Sequence, residues 1–380
     1  GSGTFTHKFF RVAHSREDLI GQRDAIAHWA RLSYGWMGRS PDYKASLMNA
    51  LGANAPFYEK FADNAKHWYA RSQDHVLFMN HAIVNPPVDR MKPPDQIKDV
   101  FITIQKETDA GIVISGAKVV ATSAAITHYN FMGQNAAIPL NDTDLAVMFI
   151  TPLNVPGVKI ICRTSYEQTA SVMGTPFDYP LSSRFDENDA IFVFDNVLIP
   201  WENVLLHRDI EKIKVFYPRS GFLAGYQFQG CTRLAVKLDF LVGVIAKALR
   251  VAGSDEFRGN QAMLGEIIAW RNLFWGLSDA MAMNPAPWVG DAVLPNSQSG
   301  SAYRVFAGDA YARIKEIVEK IVASSLIYLP SSVKDFKNPE IEPYLRRFLR
   351  GSHGIEFAER IKIMKLLWDA IGTEFGGRHE

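Results

Sequence analysis

The stretch DAIFVFDNVLIPWENVL, residues 189–205, decides how the rest of the chain is read. Its first part, DAIFVFDNVLIP, reads as a strand that stops at a proline. Upstream lie more segments of the same kind: DVFITIQ, GIVISGAKVVAT, DLAVMFITP and GVKIICR. They are rich in β-branched residues and punctuated by glycine. Downstream the pattern changes to long helical periods. No helix alternates with the strands, so an antiparallel sheet or barrel is expected here, and not a Rossmann fold. No GxGxxG follows a strand and no P-loop is present, which removes the usual nicotinamide and nucleoside triphosphate sites.

Three blocks result: an N-terminal helical domain over 1–97, a middle β domain over 98–210 and a C-terminal four-helix bundle over 211–380. In the first, Ser15 and Asp18 form a capping-box pattern, and Leu19, Ile26, Trp29 and Ala30 fall on one helical face. Ser40-Pro41-Asp42 reads as a helix start, and APFYEKFADNAKHWYAR as one further helix. In the last, four segments beginning at Phe222, Gly259, Tyr303 and Ala358 carry long amphipathic patterns, joined in part by the loop NPAPWVGDAVLPNSQSG. The start GSGTFTHKFF lacks a signal-peptide layout, and EFGGRHE stops as if cut, so both end domains read as lacking their outer parts.

A net charge of +1 gives no reason to expect a polyanion or membrane-surface partner. No apolar run reaches the ~18 residues of a membrane span. Two distant cysteines, Cys162 and Cys231, make neither a disulfide framework nor a metal motif and fit a reducing cytoplasm. Aromatic residues form 12% of the chain, which suits a packed core or an aromatic-lined pocket.

Several residues could carry chemistry. Arg39 sits in YGWMGRSPDYKAS, with Tyr43 one turn inside the helix begun by Pro41. On its own it reads as an arginine holding a carboxylate or helix end. The functional reading is an anion or phenolate site, since arginine stays charged and stacks on rings. His81, in FMNHAIVNPPVDR, is a core histidine or an acid, base or hydrogen-bond donor. Arg90, on the stiff loop after it, is a candidate pyrophosphate clamp. Thr122 and Ser123 end a strand and could reach a cofactor ring. The segment GTEFGGR caps a helix or approaches a ligand closely. No residue set suggests a metal.

The order of helical block, β block and four-helix block resembles the acyl-CoA dehydrogenase architecture, as does FDNVLIPWENVL at 194–205. More specifically, THKFFRVA, QRDAIAHWARLSYGWMGRSPDYKA, NHAIVNPPVDR, KETDAGIVISGAKVVAT, DYPLSSRFDENDAI, DNVLIPWENVL, LIYLPSS and WDAIGTEFGGRHE resemble the large oxygenase components of the 4-hydroxyphenylacetate 3-monooxygenase family. The likeness runs along essentially the whole chain, and members of that family extend beyond both of its ends.

The resemblance implies an α+β, acyl-CoA dehydrogenase-like fold and a cytoplasmic two-component flavin monooxygenase. A separate NAD(P)H-flavin reductase would supply reduced FAD. A C4a-hydroperoxyflavin formed with O2 would then hydroxylate a phenol ortho to its OH, giving a catechol. Arg39, Tyr43 and His81 would surround the phenol oxygen as phenolate stabiliser, orienting donor and base or hydrogen-bond partner. FAD would be held by His81, Val88, Asp89, Arg90, Thr122 and Ser123, with Gly372, Thr373, Glu374 and Phe375. The loop 133–139 would help select substrate, and Ala136 and Ala137 stand where some relatives carry a hydroxyl. A homotetramer, a dimer of dimers, is implied.

Three other readings stay open on sequence. An acyl-CoA dehydrogenase-like oxidoreductase would need a carboxylate base over the flavin. A 4-hydroxybutyryl-CoA dehydratase would need thiolates for a cluster, and two separated cysteines argue against it. An inactive structural fragment is the third.

Overall fold

The computed structural model describes residues 5–134 and 139–378. Helix α1 (Arg16–Leu32) begins as the capping pattern requires. The Ser15 hydroxyl accepts from the Asp18 amide at 3.1 Å, and the Asp18 carboxylate reaches back to the His14 amide at 3.0 Å. The chain then bends through Gly35, at φ 79°. A Cβ there would lie 2.6 Å from the backbone nitrogen of Lys237, so only glycine lets the bend press against that segment.

Helix α2 (Pro41–Ala53) starts at the proline. Ser40 does not cap it through its side chain, because its hydroxyl bonds the Asp42 carboxylate instead. The expected single helix after it is divided. Ala55–Phe61 is a 3-10 stretch containing Pro56, and Glu59 at φ 48°, ψ −117° breaks the period before α3 (Ala62–His75).

The strands are β1 (Met79–Ala82), β2 (Thr103–Thr108), β3 (Gly111–Lys118), β4 (Tyr129–Met132), β5 (Val147–Pro152), β6 (Val158–Cys162), β7 (Ala190–Pro200) and β8 (Val204–His207). They form two sheets, ordered β1-β4-β5-β8 and β2-β3-β7-β6. The second is wholly antiparallel, whereas β1 pairs with β4 in parallel. Every pairing within 98–210 is antiparallel, as expected for the β domain, and the parallel pair comes from β1, which precedes it. The chain leaves β1, runs through β2 and β3 of the other sheet, and returns in the same direction, the long crossover a parallel pair requires. The β1 strand also falls within the block read as helical.

Two short helices, α4 (Tyr166–Met173) and α5 (Ile210–Arg219), flank the last strands. The bundle is α6 (Phe222–Ala252), α7 (Arg258–Met283), α8 (Ser297–Ile327) and α10 (Phe357–Ile371), with a short α9 (Glu342–Phe348) before the last. Gly253, at φ 70°, ends α6 and donates its amide to the Arg250 and Leu249 carbonyls. Helix α8 begins before Tyr303 because Asn296 accepts from the Ser299 amide at 3.0 Å. The preceding loop holds a small hairpin, β9 (Ala286–Pro287) with β10 (Val293–Leu294).

Two large apolar cores divide the molecule. One joins α1 to the bundle through Leu19, Ile26, Leu234 and Tyr311. The other joins α2 and α3 to the sheets through Leu47, Trp68, Phe131 and Phe194. The bend that carries Arg39 lies where these cores meet. Among the described residues no helix is long and apolar enough to cross a membrane.

Candidate active site

The bend, the first turn of α2, strand β1 and the first turns of α6 converge on one corner. The Arg39 guanidinium carbon stands 4.4 Å from the centre of the Tyr43 ring. Its backbone amide donates to the Glu187 carboxylate, which fixes the bend. The Tyr43 Oη is 3.5 Å from His81 Nε2. From α6, the Tyr226 ring lies 5.6 Å from that of Tyr43, and the Phe222 ring 5.7 Å from that of His81. The three residues expected around a phenol oxygen are thus adjacent, although 38 positions separate Tyr43 from His81.

A fourth residue completes the corner. Lys44 is buried, and its Nζ lies 2.5 Å from His81 Nδ1. Burial and the nearby Arg39 charge hold the Lys44 amine well below its ordinary value. Burial first, then Lys44 and Arg39, hold His81 well below its own. Burial also opposes the charge of Arg39, yet Tyr43 and Glu187 keep it above the usual value. Burial pushes the Tyr43 phenol up, against the pull of Arg39. The corner therefore presents one fixed cation beside a neutral histidine and a neutral phenol.

Beside it opens a cavity of about 140 Å3 bordered by Trp36, Arg39, Tyr43, Thr122, Glu187 and Phe375. Its wall also holds Arg233, Lys237 and Arg378, so its field favours an anionic ligand. Arg233 donates to the Gly35 carbonyl at 2.8 Å, and Lys237 lies 3.8 Å from the Trp36 ring centre. Thr122 donates to Asp189 at 2.6 Å, and Asp189 pairs with Arg378 at 3.1 Å. Ser123 sits in the left-handed region at φ 62°, with its buried Oγ lacking a partner among the described residues. Arg39 Nε is likewise buried and unbonded.

The segment of Gly372, Thr373, Glu374 and Phe375 divides. Phe375 faces the cavity, 6.1 Å from the Trp36 ring. Buried Asp369 anchors the segment, accepting from the Thr373 hydroxyl at 3.0 Å and from the amides of Leu181 and Ser182 at 2.7 and 2.9 Å. Glu374 instead pairs with Arg163, outside the cavity. Val88, Asp89 and Arg90 lie on an exposed loop and do not border the cavity; Asp89 pairs with Lys92 at 2.5 Å. Ala136 and Ala137 lie outside the described residues. Among the described residues no cluster of three or more metal-ligating side chains exists.

Lys44, Glu187 and Lys118 escaped the sequence reading. For Lys44 a signal existed: it shares one face of α2 with Leu47, Met48 and Leu51, all buried. Lys118 ends β3 fully buried and donates to Ile83 O, Asn85 Oδ1 and Gln134 Oε1 at 3.1, 2.7 and 2.9 Å. It ties the loop after His81 to the residue before the 135–138 segment. Lys118→Met should strand two buried side-chain acceptors and a part-buried carbonyl and lower stability by about 2–4 kcal/mol, read by chemical denaturation. An unchanged midpoint would show that these bonds carry no weight. Burial also holds this amine down to about 7. Between that value and the ~10.5 of an unfolded lysine the unfolded chain binds the extra proton. Wild-type stability therefore falls as pH is lowered across that window, and the variant should lack this slope.

Comparison with known proteins gives a consistent picture. The family described as "4-hydroxyphenylacetate 3-hydroxylase N terminal" matches residues 1–206, and its C-terminal counterpart matches 213–380. The chain is 62% identical over 381 residues to the 4-hydroxyphenylacetate 3-monooxygenase oxygenase component of Pseudomonas aeruginosa, covering 100% of this chain and 73% of that one. It is 55% identical over 380 residues to the oxygenase component of a Rhodococcus 4-nitrophenol 2-monooxygenase, again covering 100% and 73%. A crystal structure of a 4-hydroxyphenylacetate 3-monooxygenase oxygenase component, complexed with FAD and 4-hydroxyphenylacetate, superposes with TM-score 0.93 at 31% identity, covering 100% of this chain and 78% of that one. Glutaryl-coenzyme A dehydrogenase, at TM-score 0.53 and 13% identity, shares the fold alone, which is the acyl-CoA dehydrogenase-like α+β architecture.

Proposed function

The chain belongs to the 4-hydroxyphenylacetate 3-hydroxylase family, and from that premise we propose that it hydroxylates 4-hydroxyphenylacetate and similar phenols beside the OH, giving 3,4-dihydroxyphenylacetate. The observation that carries the reading is the meeting of Arg39, Tyr43 and His81 at one buried corner. A ring attacks an electrophilic oxygen faster as the phenolate. Arg39, as the fixed cation, stabilises that phenolate. Tyr43, kept protonated by burial, donates to its oxygen and orients the ring. His81, kept neutral, can accept the phenol proton or share it. Tyr226, Phe222 and Trp36 line the corner and exclude water.

Reduced FAD, delivered by a separate flavin reductase, supplies with O2 the oxygen atom when bound. The protein fits such a group. The Thr122 hydroxyl offers a polar contact to a ring edge, while Trp36 and Phe375 offer flat apolar walls; the partnerless Ser123 Oγ lies beside Thr122 in the chain but does not border the cavity. Arg233 and Arg378 favour an anionic ligand. Val88, Asp89 and Arg90 do not border the cavity, so they are proposed as FAD contacts on the family resemblance alone. Glu187, a carboxylate on the cavity wall, is engaged by the Arg39 amide, which disfavours an acyl-CoA dehydrogenase-type base.

The enzyme works in the cytoplasm as a homotetramer. Its two cysteines, one buried and one exposed, remain free thiols. Ile268, Leu273, Val305 and Phe306 are exposed apolar side chains on α7 and α8, which supports a covered face. The activity is tested by mixing the protein with reduced FAD, O2 and 4-hydroxyphenylacetate. The catechol is the expected product, and hydrogen peroxide with no catechol would overturn the reading.

A further inference from the structure

The Lys44–His81 contact is the feature of the corner that neither the family resemblance nor the phenol reading uses. We propose that Lys44 is the terminal proton acceptor of a two-residue relay in which His81 passes the phenol proton inward to a buried amine. The inference rests on the reading that the phenol oxygen meets His81, and it assigns what lies behind that histidine.

The geometry limits the choices. A contact of 2.5 Å between Nζ and Nδ1 needs one proton between the two nitrogens. Either Lys44, charged or neutral, donates an N–H to Nδ1, which leaves the imidazole proton on Nε2, or Nδ1–H donates to a neutral amine, which leaves Nε2 free to accept. The first arrangement makes His81 only a donor towards the substrate. The second makes it a base with a proton exit.

The surroundings disfavour a Lys44 ammonium at rest, and the Tyr43 hydroxyl, 3.5 Å from Nε2, favours the second arrangement by offering its proton to that nitrogen. The groups facing the pair are Arg39 from the bend, Tyr43 beside Lys44 on α2, and Phe222 and Tyr226 from α6. Behind Arg39 stand Glu187 and Arg233. No acid contributes to the depressed proton affinity of either member, and the Arg39 charge lowers both. A second buried cation beside Arg39 is therefore disfavoured until a negative charge arrives. Ionisation of the phenol brings that charge. The Nζ then also gains the faces of the Tyr43 and Phe222 rings, at 4.5 and 5.7 Å from their centres.

The step balances. The phenol O–H bond breaks as an Nε2–H bond forms. The Nδ1–H bond breaks as a third N–H bond forms on Nζ. A phenolate and a Lys44 ammonium result, with no net change of charge and no further reactant. Lys44 does not border the cavity and acts on the phenol only through His81, so it is a positioning residue.

The test follows the ionisation of a bound phenol and not turnover. The probe is 4-nitrophenol, whose phenolate absorbs visibly, titrated against pH on the unaltered protein and on Lys44→Met with Arg39 in place. The unaltered protein should ionise the bound probe at a lower pH than water does. In Lys44→Met the midpoint should rise by about one to two pH units, the worth of one charge-assisted hydrogen bond. An unmoved midpoint in the variant would overturn the relay and leave the phenol site intact. A bound probe that ionises as it does in water, in the unaltered protein, would overturn both. Should Lys44→Met not fold, nitrogen NMR of the histidine-labelled wild type decides, with the His81 signal assigned by its loss in His81→Asn. A resting Nδ1–H form supports the relay, and a resting Nε2–H form overturns it.

Discussion

Arg39→Ala is expected to lower catechol formed per reduced FAD consumed by about 100- to 1000-fold, while binding of FAD persists. The guanidinium is the one group at the corner whose charge does not depend on a proton at any working pH. Its neighbours cannot replace it: burial holds Tyr43 protonated and His81 neutral. Without Arg39 the phenolate would keep only the Lys44 ammonium behind His81 as a counter-charge, and its ionisation would become less favourable. Oxygen activation would still proceed, so reduced flavin would be consumed with peroxide released. The checking measurement is the ratio of catechol to peroxide under single turnover. A ratio unchanged from wild type would remove Arg39 from the phenolate role. Arg39→Lys should recover only part of the yield, because an ammonium lacks the planar head that lies over the Tyr43 ring at 4.4 Å.

His81→Asn should reduce the hydroxylation rate by about 100- to 10,000-fold, the range for losing a positioned acid–base group. Asparagine keeps a hydrogen-bonding side chain of similar reach, so the loss reports proton transfer more than packing. The same variant carries a stability signature. In the unfolded chain His81 takes up a proton near pH ~6.5, whereas in the folded chain burial, Lys44 and Arg39 keep it neutral to lower pH. Below ~6.5 the unfolded state thus binds more protons, and wild-type stability falls as pH drops towards the folded value. His81→Asn should lack that part of the acid-side slope in melting temperature against pH. A variant with the wild-type slope would mean that His81 is not held neutral by the fold.

Much of this architecture was legible from local chemistry. The Ser15–Asp18 capping pair, the proline start of α2 and the glycine stop of α6 are each decided within a few residues, and the structure keeps them. The parallel pairing of β1 with β4 was not legible, because a four-residue strand carries no sign of its partner or its direction. The Glu59 break was hidden for a related reason. Phe57, Phe61, Ala65 and Trp68 keep helical spacing through it, and periodicity does not register one residue at positive φ. The corner was legible in part. Arg39 and Tyr43 share a bend and a first turn, but only the fold carries His81 to them. Lys44 carries a weak signal because lysine is almost always at the surface, and only its place on the buried face of α2 marks it as an exception.

The most direct test of the central claim is a crystal structure of the protein with 4-hydroxyphenylacetate bound. The expected result is a phenol oxygen within about 3.2 Å of the Arg39 guanidinium, Tyr43 Oη and His81 Nε2 together. A substrate seated with its carboxylate on Arg39, or bound away from the Tyr43–His81 corner, would contradict it.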